Sequence, residues 1–197
     1  MAKETPLTER ESLELITKMI SKAKCDYEDT GISAIMWGSI ITFCSLVNFI
    51  ANVQKMYWLN NVWYLTFVAV TVQVFISMRE SRRKRVTSYE DSAMGGIWIS
   101  FGIAMFMFSF YTSSLNVPSA NTIFLIVYGI PTFATGFTRR FKPMIIGGIA
   151  CWVLAIANMY TPAPYKTLYS AAAAQLAWFI PGFILRARYL KAKAGNV

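Results

Sequence analysis

Chemistry needs a base, a nucleophile or a set of ligands, and this 197-residue sequence holds few of each. It contains no histidine, which removes imidazole acid–base chemistry, haem ligation by histidine and histidine-based zinc sites together. Cys25, Cys44 and Cys151 are far apart and form no CxxC pair, so they read as reduced, buried thiols. Ser39 and Ser100 have neither histidine nor a nearby acid to act as base and read as packing residues. A Gly-rich phosphate loop of the Walker type is missing as well. The expectation is a protein that is not an enzyme and uses neither metal nor cofactor.

What remains is a set of polar side chains inside apolar stretches. The amides are Asn48, Gln73, Asn121, Asn158 and Gln175, and the hydroxyls are Ser39, Thr42, Ser45, Thr71, Ser100 and Ser109. Away from water each needs a partner, so each should face the interior of a helix bundle, as glue between helices or as the lining of a passage. Asn48, Gln73, Asn158 and Gln175 are the candidate cavity-lining residues, together with Pro131 and Pro181, whose rings kink a helix and free a carbonyl. No acid lies among them, which disfavours a proton-driven transporter.

Two further groups lie outside the apolar stretches. Arg82, Arg83, Lys84 and Arg85 form a run suited to anionic lipid head groups, at about 1 kcal/mol per charge near such a surface. The plainer reading of the run is a topology signal. Thr8 and Glu11 make a Thr-x-x-Glu capping box that opens a helix reaching Asp29. Leu13, Ile16, Ile20, Ala23 and Tyr27 share one face of it, and Glu14 and Lys18 are ordered for an i,i+4 pair. That face lies on the inner membrane surface, or Leu13, Ile16, Ile20 and Tyr27 dock a cytoplasmic partner.

The elements that must position these residues follow from composition. The chain is 55% apolar and only 15% charged, against roughly 25% charged in soluble domains. Its net charge is +9, but the basic residues punctuate long apolar runs instead of clustering beside a soluble fold, so nucleic acid is not the expected partner. Crossing a bilayer takes about 20 apolar residues in a helix. Six stretches qualify, at 32–53, 57–78, 94–112, 120–137, 143–160 and 165–185. Every acid lies outside them, in the segment from Glu4 to Asp29 or at Glu80, Glu90 and Asp91.

Orientation follows from charge. Seventeen of the 19 basic residues fall on one side, and only Lys55 and Lys166 fall on the other. By the positive-inside rule both termini are then cytoplasmic. Tyr57, Trp58, Trp63 and Tyr64 mark an outer border, as do Tyr111, Tyr160 and Tyr165. The polar N-terminus lacks the pattern of a signal peptide. The expected fold is all-α: a cytoplasmic amphipathic helix over 1–31, six transmembrane helices over 32–185, and a basic cytoplasmic tail over 186–197.

An internal pattern runs through the six stretches. Odd ones carry Trp37-Gly38, Phe101-Gly102 and Gly147-Gly148, and even ones carry Gln73-Val74-Phe75, Pro131-Thr132-Phe133 and Pro181-Gly182-Phe183. The Gly to Gln or Pro spacings of 35, 29 and 33 residues each span one hairpin. This reads as three tandem two-helix units in parallel orientation, with glycine permitting close helix approach. Residues 170–174 are small and offer a face for a homo-oligomer or for packing within the bundle.

The run Glu11-Ser12-Leu13-Glu14-Leu15-Ile16, then Thr30-Gly31-Ile32, Met36-Trp37-Gly38 and Cys44-Ser45-Leu46, resembles small six-span membrane proteins of Bacteroidota. The resemblance covers the first third of the chain. It implies a bacterial inner-membrane location and carries no activity. The three-hairpin layout is also similar in outline to the urea and amide channel family, without a shared residue motif. The expected function is a non-enzymatic scaffold or accessory subunit that docks a partner in the lipid bilayer. The alternative is a passive channel for a small neutral solute.

Overall fold

The computed structural model describes residues 30–83, 89–115 and 120–194. The amphipathic segment carrying Leu13, Ile16, Ile20 and Tyr27 therefore lies outside the described residues, as do Lys84 and Arg85, while Arg82 and Arg83 close a helix.

Thr30 and Gly31 open the chain's first long helix, α1 (Ile32–Val53). Gly31 sits at φ +70°, and its carbonyl accepts the Ile35 N–H at 3.1 Å. A side chain there would be strained and would meet the backbone of Gly182. The span itself begins and ends where the apolar pattern places it.

The second span departs from expectation. Its first eight residues, Tyr57–Tyr64, form a 3-10 helix before α2 (Leu65–Arg83) begins. Such runs seldom exceed three or four residues. The sequence YWLNNVWY favours it, since asparagine, valine and ring side chains are middling helix formers. The segment is also tied down from α1: Asn48 Nδ2 donates to Asn60 Oδ1 at 2.9 Å, and the Cys44 thiol lies 3.5 Å from the Val62 carbonyl.

Three regular helices follow: α3 (Tyr89–Leu115), α4 (Ala120–Thr138) and α5 (Lys142–Met159). The sixth span is built in pieces, α6 (Lys166–Ala174), a π-helical turn Gln175–Phe179, and α7 (Ile180–Ala194). In the π turn the Ile180 N–H reaches back to the Gln175 carbonyl, one residue further than in an α-helix. Pro181 follows at once; it has no N–H to give, and its ring would crowd the carbonyl of an α-helical turn before it. The wider turn accommodates that ring inside the bundle, where Pro181 is fully buried.

Among the described residues the protein is all-helical, and six helices are long and apolar enough to cross a membrane. Their burial is uneven. The fourth, fifth and sixth spans bury 33–44% of their apolar window inside the protein, but the second and third bury only 6% each. The most extensive pair is α4 with α5, and α1 packs chiefly on α6 and the π turn. By contrast α2 packs on α1 and the 3-10 segment, α3 packs on α4, and α2 and α3 make no extensive contact with each other.

Glycine explains the tight pairs. A Cβ on Gly136 would fall within 3 Å of Met144 and Ile145, and one on Gly148 within 3 Å of Phe133, so α4 and α5 meet nearly backbone to backbone. Gly38 meets Phe179, and Gly147 meets Leu176 and Ala177, in the same manner. The close-approach role anticipated for the repeated glycines therefore holds at Gly38, Gly147 and Gly148. It does not hold at Gly102, where nothing lies within 4 Å among the described residues.

Candidate functional site

The centre of the bundle is built from alanine and aromatic side chains. Ile41, Leu125, Tyr128, Cys151, Ala155, Ala173, Ala174, Ala177 and Trp178 make the buried cluster. Small residues on α6 let α1, α4 and α5 close in, and Trp178 fills what is left. The stretch 170–174 thus packs within its own bundle, where Ser170, Ala171, Ala173 and Ala174 are buried. Trp178 lies 4.9 Å from the Tyr128 ring, and Trp98 and Phe101 of α3 complete the group at 5.5–6.5 Å.

Indole donors lock this arrangement. Trp178 Nε1 donates to Thr132 Oγ1 at 2.9 Å, and Thr132 Oγ1 in turn donates to the Tyr128 carbonyl. Trp98 Nε1 donates to Thr135 Oγ1 at 3.1 Å, which donates to the Pro131 carbonyl. A buried indole N–H must find an acceptor, and a threonine that also bonds to its own helix holds one in a fixed direction.

The candidate cavity-lining residues are drawn into such bonds separately and do not share one opening. Gln73 accepts from Trp37 Nε1 at 3.1 Å and donates to Ser33 and Ser77, fastening α2 to α1. Gln175 donates to Thr42 Oγ1 at 2.9 Å, linking the π turn to α1. Asn48 donates to Asn60 and accepts from Asn52. Pro131 and Pro181 are fully buried against neighbouring helices.

Asn158 belongs to the densest polar group, at the end of the bundle where α5 meets α6. Thr122 Oγ1 donates to Asn158 Oδ1 at 2.8 Å, and Asn158 Nδ2 donates to the Lys166 carbonyl at 2.7 Å. Asn121 Nδ2 donates to the same carbonyl, and Ser170 donates to Asn121 Oδ1. Five residues from α4, α5 and α6 thereby satisfy one another in a buried setting. Sequence reasoning singled out Asn158 but not its partners. The legible signal was that Asn121, Thr122 and Asn158 all fall near the same ends of spans that pair antiparallel.

At the opposite end lie the charges. Thr30 donates to Glu80, Arg139 pairs with Asp91 at 3.7 Å, and the Arg188 guanidinium sits 4.9 Å from the centre of the Phe141 ring. A shallow, open recess in the described surface lies at Asn60, Asn61, Trp63 and Tyr64. Among the described residues no group of three or more His, Cys, Asp or Glu is gathered as for a metal ion.

Fold and composition thus define a multi-pass membrane protein whose polar residues hold helices together. Set against known protein families, curated proteins and solved structures, the chain matches none.

Proposed function

We propose that this chain is a six-span scaffold or accessory subunit of the bacterial inner membrane, with both termini in the cytoplasm, and that it works by holding partner proteins and not by catalysis. The observation that carries the proposal is the unequal use of glycine and surface. Gly38, Gly129, Gly136, Gly147, Gly148 and Gly182 all sit where a Cβ would fall within 3 Å of another helix or of Trp152. Gly95, Gly96 and Gly102 on α3 meet nothing within 4 Å among the described residues, on a helix that buries only 6% of its apolar window. Close-approach residues on an unused face suit a helix of another protein. The Leu13, Ile16, Ile20 and Tyr27 face would add a cytoplasmic contact, and Arg82, Arg83, Lys84 and Arg85 would anchor it to the membrane surface. The tandem-hairpin origin of the six spans belongs to the same reading, and rests on the recurring spacing from Gly38, Gly102 and Gly148 to Gln73, Pro131 and Pro181.

A photo-cross-linking residue at Ile103 on α3, compared with one at Ile156 on the lipid-exposed side of α5, tests this in native membranes. The expected result is one discrete adduct from position 103 and none from 156. Lipid adducts alone at both positions, together with release of a lone polypeptide by gentle detergent, would remove the basis for the scaffold. A passive channel finds less support, because Gln73, Asn158 and Gln175 are all committed to neighbours and the centre is filled.

A further inference from the structure

The charged end of the bundle contains a cationic group that neither the scaffold reading nor the run at Arg82 uses. Chain reversal between α4 and α5 takes place at Arg140, which adopts φ +50°, and at Phe141, which is buried. The Phe141 N–H bonds back to the Gly136 carbonyl at 2.8 Å, which pins the corner. Arg188 reaches across from α7 and lays its guanidinium against the Phe141 ring. Three cations thus belong to one corner: Arg140 and Lys142, which flank Phe141 in sequence, and Arg188, which lies over its ring. All three are exposed.

Among the described residues their charge meets no acidic partner. The acids of the described region are Glu80, Glu90 and Asp91; Glu80 accepts from Thr30, and Asp91 pairs with Arg139. No acid among the described residues pairs with Arg140, Lys142 or Arg188. The corner also opens α5, an 18-residue helix whose N-terminus carries no side-chain cap. Its dipole adds positive potential at the same place. Just inside the membrane from this corner, Phe137 and Ile146 are 69% and 66% exposed. They offer an apolar track one turn away on each helix.

We propose that Arg140, Lys142 and Arg188 form a binding site for the phosphate of an anionic phospholipid, with its acyl chain lying along Phe137 and Ile146. A phosphate ester is matched by guanidinium and ammonium donors. The flanking apolar track selects a lipid over a free phosphate ion.

The test is native mass spectrometry of the detergent-solubilised full chain, titrated with phosphatidylglycerol, phosphatidylcholine or inorganic phosphate. Phosphatidylglycerol should be retained in preference to phosphatidylcholine. Each of Arg140→Gln, Lys142→Gln and Arg188→Gln should weaken its retention about fivefold. Lys55→Gln, at the opposite end of the bundle, should leave retention unchanged. Should Arg188→Gln fail to fold, Arg140→Gln and Lys142→Gln carry the test alone, since both side chains are exposed. Equal retention of the two lipids, or equal loss in the Lys55→Gln variant, overturns the site. Full displacement by inorganic phosphate overturns the lipid as its occupant.

Discussion

At the scale of single residues, the stakes lie in buried polar atoms. Asn158 is fully buried and uses both ends of its amide, accepting from Thr122 and donating to the Lys166 carbonyl. Asn158→Leu should leave both partners short of a bond and cost about 1–3 kcal/mol of stability, measured by steric trapping in bicelles. A double-mutant cycle with Thr122→Val should return a coupling near 0.6 kcal/mol and no more than about 1.7, the range met between membrane helices. Additivity of the two changes would mean that the bond is not made in the bilayer. Ser45 is the opposite case. It too is fully buried, yet among the described residues its hydroxyl oxygen meets no partner. Ser45→Ala should therefore hold stability level or raise it by about 1 kcal/mol, and a marked loss would reveal a bonding partner for that hydroxyl. Sequence could name both residues as polar groups in lipid; it could not tell the satisfied one from the orphan. That distinction depends on Thr122 and Lys166, which come from other helices.

Between elements, the contest is over which helices touch. Hydropathy separates lipid-compatible segments from water-compatible ones, and it drew the first span to its observed ends, Ile32–Val53. It does not separate a helix facing lipid from one facing protein, because both surroundings are apolar. Hence α4 with α5, the most extensive pair, looked no different in hydropathy from α3, which packs almost wholly on one neighbour. The better signal is small residues, and it has to be read in context. Gly136 and Gly148 stand where α4 and α5 meet, but Gly96 and Gly102 meet nothing within 4 Å among the described residues. Gly147→Ala places a methyl within about 2.7 Å of the backbone of Ala177 and should lower the thermal midpoint in detergent sharply, as should Gly38→Ala. Gly96→Ala and Gly102→Ala should keep the midpoint or raise it slightly, since alanine is the better helix former by about 1 kcal/mol. Equal damage at all four positions would show that α3 is packed on something in the solubilised protein. The 3-10 opening and the π turn were not legible either. Each depends on a contact from α1, through Asn60 in one case and through Gln175 in the other.

For the molecule as a whole, charge and packing point to one arrangement in the bilayer. Thr30, Glu80, Asp91, Arg139 and Arg188 collect at one end, and Asn121, Asn158 and Lys166 at the other. A helix carrying charge only at its ends crosses hydrocarbon without penalty, whereas a Lys or Arg at its centre would cost roughly 2.5–3.5 kcal/mol. The alternation of ends along six spans requires that Arg82, Arg140 and Lys191 share one side and that Lys55 and Pro162 share the other. The excess of Lys and Arg near the first group predicts that it faces the cytoplasm. Single cysteines introduced at these positions, in a background with Cys25, Cys44 and Cys151 replaced, report the sidedness directly. A membrane-impermeant maleimide added to intact spheroplasts should label positions 55 and 162 at once, and positions 82, 140 and 191 only after the membrane is opened. The reverse pattern would keep the six spans and invert the protein, placing the Arg140, Lys142 and Arg188 corner in the opposite leaflet. Labelling that divides position 82 from position 140 would break the alternation itself, because two spans separate them, and would leave α3 or α4 outside the bilayer.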